Sequence, residues 1–240
     1  MAMIELKDIT FSRGNKKVLE NLDLEIADKK FTCLLGATGS GKTTLLRLIA
    51  GLETPDSGKI LIGGKLATNG HTILIEPSKR KVGFVFQDLA LWPHFTVFKN
   101  VEWSLRIQND KEAASKADRI IDNMGLTEHK KKYPHQLSGG QQQQLAMARA
   151  LATQPEILLM DEPLSGLDAN LKEQMMEYII KVKNEFNITI IQVTHDHNEA
   201  LRLADTIVVL NNNGKIEASG TPEEMSKSSN EFVRKFLRIK

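Results

Sequence analysis

The chain has 240 residues, enough to bury a large core in one or two domains. Hydrophobic residues are 41% and charged residues 26%, as in ordinary globular proteins, and a net charge of +2 gives no strong field for a polyanion such as nucleic acid. The single cysteine, Cys33, excludes an internal disulfide and fits a reducing compartment. The first residues lack a basic n-region and a long apolar core, so no signal peptide is expected there. No run approaches the roughly 18 apolar residues of a membrane-spanning helix.

Residues 3–11 read as a strand, with Ile4, Leu6, Ile9 and Phe11 among polar neighbours. Ser12-Arg13-Gly14-Asn15 is a turn, and Leu22 to Ile26 alternates as a half-buried strand. Phe31-Thr32-Cys33-Leu34-Leu35 is an apolar run, where Cys33 is expected as a small buried thiol. It feeds Gly36-Ala37-Thr38-Gly39-Ser40-Gly41-Lys42-Thr43-Thr44, and a helix is expected over 42–51. A strand follows at Lys59 to Ile62. Residues 63–80 look loop-like, with a short strand at Ile73 to Ile75. Val82 to Phe86 is an apolar strand ending at Gln87. The period then changes to helical over 97–107, 111–124 and 139–153, and Pro155 stops the last of these. Ile157 to Met160 is a buried strand leading to Asp161-Glu162-Pro163. A helix over 169–186 precedes the buried strand Ile188 to Thr194, which ends at His195. Strands at Thr206 to Leu210 and Lys215 to Ser219 flank an Asn-rich turn ending in Gly214, and 221–240 is a short basic helical tail. Strands alternating with helices predict an α/β protein with a parallel sheet covered on both faces, and residues 88–155 a helical insertion into it.

Strand, glycine-rich turn and helix form the setting of a phosphate-binding loop. Glycines let successive N–H groups turn toward an anion, and the positive end of the helix dipole faces the same point. Lys42 can reach the outer phosphates and the Thr43 hydroxyl can ligate Mg²⁺. In a parallel sheet, ligands bind at the carboxyl ends of the strands. That places Asp161 beside the loop as a Mg²⁺ ligand and Glu162 as a general base for an attacking water. Gln87 and His195 also end strands. The glutamine suits Mg²⁺ or the lytic water, and the histidine suits the γ-phosphate. A metal site at His195 and His197 is disfavoured, because adjacent residues at a strand end diverge. Ser138 is a helix N-cap, and Gly139 and Gly140 free N–H groups there for an anion.

These motifs together resemble the nucleotide-binding subunit of ATP-binding cassette (ABC) transporters over essentially the whole chain. GATGSGKT at 36–43, Gln87 after FVF, LSGGQ at 137–141, ILLMDEP at 157–163 and VTHD around His195 stand in the family's order. SGLD at 165–168 matches the family's D-loop, and Phe11 is matched to the aromatic that stacks on adenine. The resemblance implies one ATPase domain over 1–240. Its parts are a P-loop NTPase core (1–87 and 156–220) with an N-terminal antiparallel β subdomain, a helical subdomain (88–155) and a tail (221–240). ATP and Mg²⁺ are implied as ligands. Two subunits pair head to tail, as a homodimer or pseudo-dimer, so that Ser138, Gly139, Gly140, Gln141 and Asp168 act on the partner's nucleotide.

LALWPHFTVFKNV at 89–101 and DEPLSGLDANLK at 161–172 resemble the solute-importer subunits in particular. These imply transmembrane permease subunits, an external solute-binding protein and a place on the cytoplasmic face of the membrane. The surface within 88–104, with Trp92, Phe95 and Phe98, is the expected docking site, although some of these rings are expected in the core. An exporter ATPase of the same fold is the nearest alternative. A soluble ABC ATPase of DNA repair or translation usually needs a tandem cassette or a long insertion. Two departures stand out. Gln144 replaces the arginine usual a few residues after LSGGQ. The sequence ends at Lys240, so the regulatory β domain of many sugar and polyamine importers is not expected.

Overall fold

The computed structural model describes residues 2–237. β1 (Ala2–Arg13) and β2 (Lys16–Ala27) form a long hairpin, and β3 (Phe31–Gly36) leads through the glycine-rich loop into α1 (Lys42–Ala50). β4 (Ser57–Ile62), β5 (Lys65–Asn69) and β6 (Thr72–Ile73) return to the hairpin, giving an antiparallel sheet of order β2-β1-β4-β5-β6. β7 (Val82–Val85) opens onto three helices, α2 (Val97–Arg106), α3 (Ala113–Asn123) and α4 (Gly139–Ala152). β8 (Ile157–Asp161), α5 (Ala169–Phe186), β9 (Thr189–Val193), α6 (His197–Leu203), β10 (Thr206–Leu210) and β11 (Ile216–Gly220) complete the core, followed by α7 (Pro222–Ser226) and α8 (Glu231–Leu237). The second sheet has the order β11-β10-β3-β9-β8-β7. Its strands pair in parallel except at the β10–β11 edge.

β3, β8 and β9 are buried at every residue because both faces of this sheet are covered. Phe31, Cys33 and Leu35 join one apolar cluster with the helices of the 97–152 block and α5, while Leu34 joins the other. That second cluster holds Leu45, Leu46, Leu48 and Ile49 of α1 together with Ile4, Leu6 and Ile9 of β1. One face therefore carries a single helix clamped between the two sheets, and the other carries the remaining helices. Each Leu or Ile buried in this way contributes about 1.5–3 kcal/mol.

α1 is also held at its far end. Arg80, almost wholly buried, donates from Nη1 to Leu48 O (3.1 Å) and Ile49 O (2.8 Å), from Nε to Ile75 O (3.0 Å) and from Nη2 to Thr68 Oγ1 (2.7 Å). A cation on the last carbonyls of a helix is favourable for both hydrogen bonding and the helix dipole. Gly51 caps the helix with φ +79°, and a Cβ there would stand 2.5 Å from Arg80 Cζ.

The elements follow the sequence expectations with four corrections. The strand expected at Ile73 to Ile75 is instead the two-residue β6, Thr72–Ile73. Residues 65–69 form a strand, not a loop. Lys-Leu-Ala-Thr-Asn has little alternation, but pairing with β4 buries Ala67 and Thr68. β2 begins at Lys16, well before the alternating stretch at 22–26, because the hairpin extends past the apolar pattern. Asp196 caps a short helix, α6, that was not anticipated. The tail contains two short helices, and residues 238–240 of the expected tail lie outside the described ones.

Candidate active site

The loop after β3 is shaped by glycines where a side chain does not fit. A Cβ on Gly36 would stand 2.6 Å from Ser40 Oγ and 2.7 Å from Leu210 O. Gly41 occupies the helix N-cap with φ +97°, a left-handed conformation natural to glycine. The N-terminus of α1 has neither a side-chain cap nor an acidic residue in its first turn, so its N–H groups and dipole are open to an anion. Lys42 Nζ folds back to donate to Gly36 O (2.8 Å) and Ala37 O (2.9 Å). Burial pulls its pKa below the usual lysine range, opposed by the charges of Glu162 and Asp161. A phosphate offers this ammonium stronger acceptors than two carbonyls do.

Thr43 Oγ1 donates to Asp161 Oδ1 at 3.0 Å, which joins the loop to the end of β8. Asp161 is 5% exposed, and burial raises its pKa above the usual carboxylate range. The Thr43 hydrogen bond and the charges of Arg47 and Lys42 partly offset that rise, while Glu162 adds to it. Glu162 follows with φ +47°, a strained value for a residue with a Cβ. Its N–H donates to Val193 O (3.0 Å), and Ser165 donates to its carbonyl from both backbone and side chain. This turn presents Glu162 Oε2 to Gln87 Nε2 at 3.4 Å and to His195 Nδ1 at 3.3 Å.

A cleft of about 660 Å³ runs over these groups. Thr38, Gly39, Gly41, Lys42, Thr43, Thr44, Gln87, Glu162 and His195 line it, along with Arg13, Lys16 and Val18 of the β1–β2 hairpin. An adjoining recess shares Thr43 and Gln87 and contains Asp161. The oxygens of Thr43, Asp161 and Gln87 are the hard donors that suit Mg²⁺, and a cation there would relieve the desolvation of Asp161. No cluster of three or more His, Cys, Asp or Glu side chains poised for a metal occurs among the described residues. A magnesium ion would thus depend on phosphate oxygens and water for its remaining ligands.

The structure brings together Lys42, Thr43, Gln87, Asp161, Glu162 and His195, as the strand-end reading expects. It does not place Phe11 in the cleft. That ring is half-buried and packs on the antiparallel-sheet core, while Arg13 lines the wall. Arg13 and Lys16 were missed because one lies within, and the other directly follows, what reads only as a turn.

Ser138, Gly139, Gly140, Gln141 and Asp168 do not line their own chain's cleft. Ser138 Oγ accepts from Gln141 N (3.3 Å), and Gln141 Oε1 accepts from Ser138 N (3.0 Å), a reciprocal cap on α4. Asp168 caps α5 through Leu171 N (3.0 Å), and a Cβ on Gly140 would stand 2.5 Å from Leu171 Cδ1, so the two helix starts pack together.

Arg149 was also missed. Its guanidinium donates to Leu89 O and Ala90 O and lies 4.9 Å from the centre of the Trp92 ring. Leu89 and Ala90 both have positive φ, so Arg149 pins a strained segment beside Gln87.

A family model described as ABC transporter matches residues 19–165. A sulfate/thiosulfate import ATP-binding protein of Shewanella oneidensis is 44% identical over 98% of this chain and 66% of its own length. One from Pseudomonas syringae pv. tomato is 42% identical over 98% of this chain and 72% of its own. The spermidine/putrescine import ATP-binding protein of Chromobacterium violaceum is 40% identical over 99% of this chain and 65% of its own. The chain spans about two thirds of the length of the curated relatives it matches. Among solved structures, a dimeric post-hydrolysis ATP-binding cassette bound to ADP and Pi is 33% identical, with a TM-score of 0.79 over 92% of this chain and 99% of that one. A dimeric bacterial ABC transporter cassette is 34% identical, with a TM-score of 0.80 over the same shares.

Proposed function

The chain belongs to the ABC transporter family, and on that premise we propose that it is the ATP-hydrolysing subunit that powers a solute importer. The observation that carries this reading is the convergence of Gln87 and His195 on one oxygen of Glu162, beside a phosphate loop whose lysine and helix N-terminus await an anion. Named relatives that import sulfate, thiosulfate and polyamines favour import over export and over a soluble, non-transport role.

In this reading Lys42 exchanges its two loop carbonyls for oxygens of the outer phosphates. Thr43, Asp161 and Gln87 would hold Mg²⁺, which would supply charge neutralisation at the phosphates. Glu162 accepts the proton of the attacking water, and His195 and Gln87 hold its carboxylate toward that water. His195, which lines the same cleft, would also donate to the terminal phosphate. Neighbours solved as dimers support pairing of two such subunits. Ser138, Gly139, Gly140, Gln141 and Asp168, absent from their own cleft, would then complete the partner's.

No helix among the described residues is long and apolar enough to cross a membrane. In this reading, membrane-spanning permease subunits provide the path for the solute. Their docking surface is the 88–104 stretch. Trp92 and Phe95 stack edge-on with ring centres 5.7 Å apart, Phe95 meets Trp103 at 5.7 Å, and Trp103 is exposed. Phe98 instead packs on the core. The subunit would sit on the cytoplasmic face, opposite a solute-binding protein that delivers cargo.

The test is phosphate release from ATP with and without Mg²⁺. Wild type should require Mg²⁺, and Lys42→Ala should lose about 10- to 150-fold in ATP affinity, as expected for a charged hydrogen bond. Unchanged binding by Lys42→Ala would remove the site assignment.

A further inference from the structure

We infer that Arg13, rather than an aromatic ring, is the platform on which the nucleotide base rests in this protein. The inference deepens the ATP-binding reading above and rests on it. The cleft has two ends. At one, Lys42, Glu162 and His195 gather where the terminal phosphate belongs. The other is walled by the β1–β2 hairpin through Arg13, Lys16 and Val18. With the phosphates held by the loop, the nucleoside extends toward the hairpin. No aromatic side chain lines that wall among the described residues.

The backbone explains the substitution of charge for ring. Phe11 pairs with Leu19, but Ser12 pairs with Lys17 and Arg13 with Lys16, which leaves Val18 as the extra residue of a β-bulge. A bulge re-aims the side chains around it. Phe11 stays against the core, while Val18 enters the cleft wall beside the phosphate loop, its Cγ1 only 3.3 Å from where a Cβ on Gly41 would stand. Arg13 is exposed but tethered. Its Nη2 donates to Glu53 Oε1 at 2.9 Å, and the same oxygen accepts from Arg47 Nη1 of α1 at 3.3 Å. One edge of the guanidinium is thereby oriented from the helix that carries the phosphate loop, while the side chain stays 62% exposed at the cleft wall. A guanidinium plane stacks on a nucleobase, whereas the ammonium of Lys16 is a point charge suited to phosphate or ribose oxygens. Stacking engages the π-face and not the edges of a base, so this end of the cleft should take adenine and guanine alike.

The experiment is equilibrium binding by the full chain, without Mg²⁺, to ATP, GTP and inorganic tripolyphosphate, which has no base. Wild type, Arg13→Ala and Arg13→Tyr are compared. Arg13→Ala should weaken ATP and GTP by about 10- to 100-fold and leave tripolyphosphate within about twofold, as loss of one stacked base predicts. Arg13→Tyr should restore nucleotide binding, because a ring supplies the same plane. Equal weakening of tripolyphosphate would make Arg13 a phosphate cation and overturn the platform. So would wild-type ATP affinity in Arg13→Ala, or Arg13→Tyr binding as weakly as Arg13→Ala. Wild type binding tripolyphosphate but neither nucleotide would overturn the platform and leave the phosphate-loop reading standing. Wild type binding none of the three would overturn both.

Discussion

The hydroxyl of Thr43 and the carboxylate of Asp161, 118 residues apart in sequence, meet at 3.0 Å. This bond closes the gap between the phosphate loop and the end of β8 and leaves a desolvated acid next to Glu162. Because burial raises the pKa of Asp161 in the folded state, the fold binds more protons there than the unfolded chain does. The ligand-free protein therefore loses stability as pH rises from the unfolded carboxylate pKa through the raised folded one. Asp161→Asn should remove that pH-dependent loss and stabilise the ligand-free protein near pH 7 by about 0.5–2 kcal/mol, while Mg²⁺-dependent hydrolysis collapses. Thermal melts of both proteins across pH check this. A less stable Asp161→Asn protein would show that the carboxylate is better satisfied than its surroundings indicate.

Glu162→Gln should cut hydrolysis by about 10²–10⁴, because an amide of the same shape cannot take the water's proton. Removing the negative charge also lessens repulsion of the γ-phosphate, so ATP should stay bound and hold two subunits together. Light scattering after size-exclusion chromatography should show an ATP-dependent dimer for Glu162→Gln. Adding Ser138→Arg, which places a bulky cation at the α4 N-cap, should return it to a monomer. Wild-type turnover by Glu162→Gln would eliminate Glu162 as the base.

Arg80→Ala should cost about 3 kcal/mol of stability, since it leaves the Leu48, Ile49 and Ile75 carbonyls without their buried donor and opens a cavity. Denaturant unfolding measures the loss. ATP binding by the folded fraction should weaken less than stability does, because Arg80 acts on the far end of α1. A loss within about 0.5 kcal/mol, as at an ordinary surface site, would mean that water replaces the guanidinium.

Trp92→Glu with Phe95→Glu should spare ATP binding, because neither ring lines the nucleotide cleft. It should reduce recovery of the subunit with its membrane partner and the ATP hydrolysis that the partner stimulates. Pull-down from solubilised membranes, paired with nucleotide binding, separates the two effects. Intact assembly with both rings replaced would move the docking surface elsewhere.

The sequence by itself determined the strands that end in chemistry. Phe31–Leu35, Ile157–Met160 and Ile188–Thr194 are largely apolar runs that a sheet covered on both faces requires, the first followed by the glycine-rich loop and the other two at once by polar side chains. The glycines of the phosphate loop were legible for the same reason, because few other residues tolerate their backbone. Local signals ran out where position depends on pairing. The strand at Lys65–Asn69 exists because β4 and β6 supply its partners. The bulge at Val18 arises from a register that no single strand encodes, and it decides that Arg13 and not Phe11 lines the cleft. The grip of Arg149 on the strained carbonyls of Leu89 and Ala90 joins residues roughly 60 positions apart. The convergence of Gln87 and His195 on one oxygen of Glu162 belongs to neither motif. It follows from the strand order β9-β8-β7, which brings three separate chain segments to one edge, where a strained turn at Glu162 aims its carboxylate between the other two.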